Sequence, residues 1–92
     1  MIDNIRHRGL RRLYERGDKS RLRTDIADKA ERFLTVLDQA ETIEEVDLPG
    51  YGLHRLTGNL RGFWSVSVSR NHRIIFRFRD GNASALDLVD YH

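Results

Sequence analysis

Between Gly50 and Arg79 the chain places six arginines (Arg55, Arg61, Arg70, Arg73, Arg77, Arg79) and two histidines (His54, His72), with no Asp or Glu. Arginine presents a rigid donor fork that fits phosphate, and an imidazole can take or give a proton near neutral pH. A second cluster, Asp90-Tyr91-His92, closes the sequence. His54, Arg73, Asp90, Tyr91 and His92 together would suit attack of an RNA 2′-hydroxyl on the adjacent phosphodiester. That chemistry needs an acceptor for the hydroxyl proton, a cation beside the crowded phosphate and a proton donor for the leaving 5′-oxygen. It also needs the two clusters to converge. In the plainer reading, Tyr91 packs at a sheet edge and Asp90 pairs locally.

Other chemistries lack their residues. The chain has no cysteine, so it forms no disulfide and offers no thiolate to a metal. It contains no HExxH, no DxD run and no Gly-x-Ser-x-Gly, and no metal or cofactor is expected. Gly50-Tyr51-Gly52 lacks the strand-before, helix-after setting of a nucleotide loop. His7 and His72 read as ordinary surface residues. Tyr51, Phe63 and Tyr91 could each stack on a base. No apolar run follows a basic start at Met1-Ile2-Asp3-Asn4, so a cytoplasmic protein without a signal peptide is expected.

Net charge over the 92 residues is only +2, but it is unevenly spread. Residues 1–17 carry +3, residues 18–49 carry −4, residues 50–79 carry +6 and residues 80–92 carry −3. A polarised molecule is expected, with one region suited to a polyanion. Arginine on an outer strand face is also tolerated as a merely solvated residue. The absence of any acid over thirty residues weighs against that reading.

The elements that must position these groups follow from periodicity. Gly9 to Tyr14 predicts a short helix, with Arg11, Arg12 and Arg16 on its wet side and Gly17-Asp18 ending it. Leu22, Ile26, Ala30, Phe33, Leu37 and Ala40 recur at three and four, predicting the main helix, with Ser20 or Thr24 as its cap. Ile2 and Ile5 could enter an edge strand. Thr42 to Gly52 reads as a connection. Strands are then predicted at Leu53 to Leu56, Phe63 to Ser69, Arg73 to Arg79 and Ala83 to Tyr91. The loops between them are Thr57 to Gly62, Arg70-Asn71-His72 and a tight Asp80-Gly81 turn. Alternation directs Trp64, Val66, Val68, Ile74, Phe76 and Phe78 inward and Arg73, Ile75, Arg77 and Arg79 outward. The fold class is α+β in one domain, residues 1–92: N-terminal helices packed on one face of a small antiparallel sheet, with the other face open.

The chain resembles the HigB-type toxins of the wider RelE-like superfamily. The resemblance rests on Leu53-His54-Arg55-Leu56-Thr57-Gly58-Asn59, Gly62-Phe63-Trp64-Ser65-Val66, Asn71-His72-Arg73-Ile74 and Val89-Asp90-Tyr91-His92, and it runs the full length. It implies a RelE-like, microbial-ribonuclease-like fold. It also implies a type II toxin–antitoxin toxin: a ribosome-dependent, metal-independent endoribonuclease that cuts translated mRNA in the A site. The implied partners are the ribosome with its mRNA and a cognate HigA-like helix-turn-helix antitoxin, through which alone the toxin meets operator DNA. By position, His54, Asp90, Tyr91 and His92 match residues implicated in cleavage, and Arg73 matches a basic position at the scissile phosphate. Either His54 or Asp90 would accept the 2′-hydroxyl proton, His92 would donate a proton or order the phosphate, and Tyr91 would position the base or backbone. Arg55, Arg61, Arg77 and Arg79 would bind RNA phosphates. Some relatives carry Leu-Lys-Gly where this chain has Leu56-Thr57-Gly58. Either Arg55 or Arg61 replaces that cation, or the enzyme is slower. The competing reading is a non-catalytic RNA- or ribosome-binding module that blocks translation.

Deleting His92 tests the closing motif. The truncated protein should fold and lose growth arrest on induction; growth arrest by the folded truncation would show that His92 is dispensable.

Overall fold

The computed structural model describes residues 1–90. The predicted ends of the last strand and of the closing motif, Tyr91 and His92, lie outside them. Two helices, α1 (Arg8–Arg16) and α2 (Thr24–Gln39), precede an antiparallel sheet of β1 (His54–Arg55), β2 (Trp64–Ser69), β3 (His72–Arg79) and β4 (Asn82–Asp90). The strands lie in chain order, and the helices pack on one face. The α+β expectation is met.

The main helix forms because its apolar stripe has a sheet to cover. Ile26, Ala27, Ala30, Phe33, Leu34 and Leu37 are all buried. Phe33 is fully buried, its ring centroid 5.6 Å from that of Phe76 on β3 and 5.8 Å from that of Tyr51. Tyr51 sits in the connection, donates its hydroxyl to Lys29 O at 2.9 Å, and its burial pushes the phenol pKa up. A four-residue 3-10 turn, Ile43–Val46, anchors the same connection through buried Val46.

The predicted caps are corrected. Thr24 is the first helical residue of α2, and Arg23 before it makes no side-chain cap. Ser20 instead donates both its N–H and its hydroxyl to Asp18, which holds that carboxyl below its ordinary range. The capping side chain belongs to α1: His7 Nδ1 accepts the Leu10 N–H at 3.2 Å. His7 is thus a structural cap rather than an idle surface residue.

Ile2 and Ile5 do reach the sheet, bridging parallel to Ala83 and Leu86 on β4. The Asp80-Gly81 turn has positive φ at both residues, 52° and 79°, as a two-residue hairpin of this twist requires. The other hairpin is tighter than predicted. Only Arg70-Asn71 form the turn, and His72 begins β3 opposite Ser69 and Asp90. The first strand is also shorter, two residues rather than four.

The outer face of the sheet is not uniformly wet. Phe63, Ile75 and Ala85 form a second buried cluster there, flanked by Leu56 and Val89. An irregularity in the β3–β4 register between Ile75 and Arg77 breaks the alternation, and Ala85 has φ 53°. Ala85 joins the outer cluster while its neighbour Leu86 joins the main core.

Phe33 is therefore the position on which the two layers meet. Phe33→Ala should cost about 3–5 kcal/mol in urea unfolding; a loss under about 1 kcal/mol would show that the helix is held elsewhere.

Candidate active site on the open sheet face

Cross-strand register decides which side chains meet. His54 on β1 lies opposite Ser65 on β2, and Ser65 lies opposite Ile75 on β3. Directly paired residues share a face. Arg73, one step along β3 on the same face, reaches diagonally across. Its Nη1 donates to Ser65 Oγ and meets His54 Nε2, each at 3.2 Å. Ser65 is a polar residue with no exposed surface, so its hydroxyl is a fixed post for the guanidinium.

The hydrogen bonds fix the tautomer of His54. Its Nδ1 lies 3.1 Å from the Arg55 carbonyl, which can only accept. The proton therefore sits on Nδ1, and the Nε2 lone pair faces Arg73, which can only donate. A histidine with a bare Nε2 beside a guanidinium has the makings of a base next to an anion site. Here the guanidinium occupies the lone pair, so an anion that drew Arg73 away would release it.

The other sequence-selected residues fall in several places. Asp90 does not join Arg73. It pairs across the sheet with His72, carboxylate to Nε2 at 2.9 Å, and His72 Nδ1 lies 2.8 Å from Ser69 Oγ. His72, Leu88 and Asp90 line a small cavity with His7, Leu22 and Ile26 on the helix side of the sheet. Val89, between Leu88 and Asp90, packs with the outer cluster, so Asp90 is turned away from the His54–Arg73 pair. Tyr91 and His92 lie outside the described residues.

Among the arginines, Arg55 stands 4.9 Å over the Trp64 ring, opposite the face His54 uses. With Thr57 and Arg61 it lines a cleft of about 380 Å³. Arg77 sits 4.4 Å over the Phe63 ring. Arg79 lies at the far end of β3 beside Asp80, at 3.9 Å and almost wholly exposed. The expected free aromatic rings are corrected: Tyr51 and Phe63 are buried, at 3% and 7% exposure, so neither offers its own ring to a base.

Two groups escaped the sequence reading. Ser65 looked like any outward serine; its value comes from lying opposite His54, which only register reveals. Asp87 lies opposite Ile75, so the open face includes an acid although the segment 50–79 has none. Among the described residues, no three His, Asp or Glu are placed to hold a metal ion, and no helix is long and apolar enough to cross a membrane.

The family model described as the RelE-like toxin of type II toxin–antitoxin system HigB matches residues 3–92. Endoribonuclease HigB of Proteus vulgaris is 38% identical over 92 residues, covering 100% of both chains. Toxin HigB-1 of Vibrio cholerae is 32% identical over 85 residues, 90% of each chain.

The tautomer is directly measurable. At pH about 8, where imidazoles are largely neutral, nitrogen-15 spectra should show His54 with a protonated Nδ1 and an unprotonated Nε2. A dominant Nε2–H form would contradict the hydrogen-bond assignment.

Proposed function

The chain belongs to the HigB-like family of RelE-like toxins of type II toxin–antitoxin systems, and from that premise we propose that it is an endoribonuclease acting on the open sheet face. Membership of such a system implies an antitoxin partner. The finer reading is a ribosome-dependent mRNA interferase, cutting in the A site and restrained by a HigA-like helix-turn-helix antitoxin. Its work is then cytoplasmic.

The observation that carries the reading is the 3.2 Å contact between Arg73 Nη1 and His54 Nε2, braced by buried Ser65. A scissile phosphate offers Arg73 a charge-assisted bond stronger than the one to a neutral imidazole. Arg73 turns to the phosphate and bares the Nε2 lone pair. His54 then takes the 2′-hydroxyl proton as that oxygen attacks phosphorus. Arg73 stabilises the negative charge that builds on the non-bridging oxygens. The P–O5′ bond breaks, the 5′-oxygen takes a proton, and a 2′,3′-cyclic phosphate remains on the upstream fragment. His92 is the proposed proton donor and Tyr91 the group that positions the base or backbone.

Asp90 is better suited to positioning than to proton abstraction, because its carboxylate is engaged by His72 on the other face. It ties the end of β4 to the start of β3. Arg55 and Arg61 line one cleft with Thr57, which supports either as the cation that some relatives carry as lysine at that position. Arg79 lies too far along β3 to touch the same phosphate. It would add long-range attraction for RNA.

In a purified translation system, the parent protein should produce discrete cuts in translated mRNA, seen by primer extension. Arg73→Ala should slow cutting by about a hundredfold or more, while Arg11→Ala, on the helix layer, should stay near the parent. Equal cutting by the Arg73 variant would remove Arg73 from the chemistry. Stalling without cuts by the parent would favour a non-catalytic ribosome-binding protein.

A further inference from the structure

We propose that Arg77 forms a nucleobase-stacking subsite: its guanidinium, seated over Phe63 and flanked by Gly62, receives the face of one unpaired RNA base beside the cut. The proposal rests on the preceding reading and adds a substrate contact to the same face.

Three observations bring Arg77 forward. The first is its seat. The guanidinium carbon lies 4.4 Å from the Phe63 ring centroid, and Phe63 is itself buried with Ile75 and Ala85. A sheet face without helices over it would ordinarily carry polar side chains. This one carries an apolar floor with a cation on top, which suits stacked bases and their phosphates.

The second is Gly62. A Cβ there would stand 2.8 Å from Arg77 Nη1, closer than side chains tolerate. Gly62 also has φ 95°, which by itself favours glycine. The backbone therefore passes close beside the guanidinium without a side chain to push it off the ring.

The third is the electrostatic setting. Arg12, Arg23 and Arg79 have carboxylates within ion-pair reach, whereas Arg77 has none among the described residues. A guanidinium held over a ring rather than by a carboxylate keeps its charge for a ligand. Bases of single-stranded RNA stack on arginine planes as they do on aromatic rings. Arg77 lies four strand residues from Arg73, about 13 Å along β3. A strand with its scissile phosphate at Arg73 can lay a neighbouring base over Arg77.

The competing role is a plain phosphate cation, which needs charge but no plane. Lysine keeps the charge and glutamine keeps a small planar amide, so the pair of variants separates the roles. In the translation assay, with primer extension across all codons, Arg77→Lys should cut roughly tenfold more slowly and with less discrimination among codons. Arg77→Gln should retain more discrimination than Arg77→Lys. Both should melt near the parent temperature, because Arg77 is exposed. Parent-like rate and codon pattern in Arg77→Lys would overturn the stacking subsite while leaving the nuclease reading intact. Absence of cuts by the parent itself would overturn the nuclease reading and this subsite with it.

Discussion

Burial of one helical stripe against one sheet face governs the rest of the molecule. Phe33 is its centre, wedged between Phe76 of the sheet and Tyr51 of the connection. A 92-residue chain buries limited apolar surface, and one such contact is a large share of what holds the layers together. It settles which side of every strand faces inward. Ile74, Phe76 and Leu86 are committed to the helices, and Arg73, Ile75 and Arg77 are left on the open side. Tyr51 couples the two halves of the chain, because its ring packs on the helix while its backbone oxygen accepts from Ser67 on β2.

The open face is built by adjacency across strands rather than along them. Arg73 is held by a serine from β2 and meets a histidine from β1. Arg77 rests on a phenylalanine that precedes β2. Ser65 and Phe63, which hold these two side chains in place, carry no charge. Asp87 is the exception on this face, and its carboxylate accepts from its own strand at the Leu88 N–H.

The opposite side of the same sheet end works differently. Ser69, His72 and Asp90 form a hydrogen-bonded chain that joins the end of β2, through the start of β3, to Asp90 of β4. Its members resemble a catalytic triad in type. The contacts join neighbouring strands, and the arrangement ties Asp90 to His72 on the helix side of the sheet. The strand period of two separates Asp90 from Arg73 even though their Cα positions are close in register.

The sequence by itself determined the element order, the inward stripe of the main helix, the Asp-Gly turn and the outward arginines of β3. These follow from local periodicity and turn chemistry, which need no knowledge of distant neighbours. Family membership was legible only as a resemblance, carried by runs such as Gly62-Phe63-Trp64-Ser65-Val66 and Val89-Asp90-Tyr91-His92. The sequence misled where a residue's meaning lies in its cross-strand partner. His72 read as loop and is a strand residue clamped to Asp90; Ser65 drew no reading of its own and is the buried brace of Arg73. Ser20 and Thr24 read as caps, but the helix begins three residues too late for Ser20 and at Thr24 itself. Only the tertiary structure could decide that His54 and Arg73 meet while Asp90 turns away. Register and bulges between strands set that outcome, and a one-residue shift in either sends a side chain to the other face.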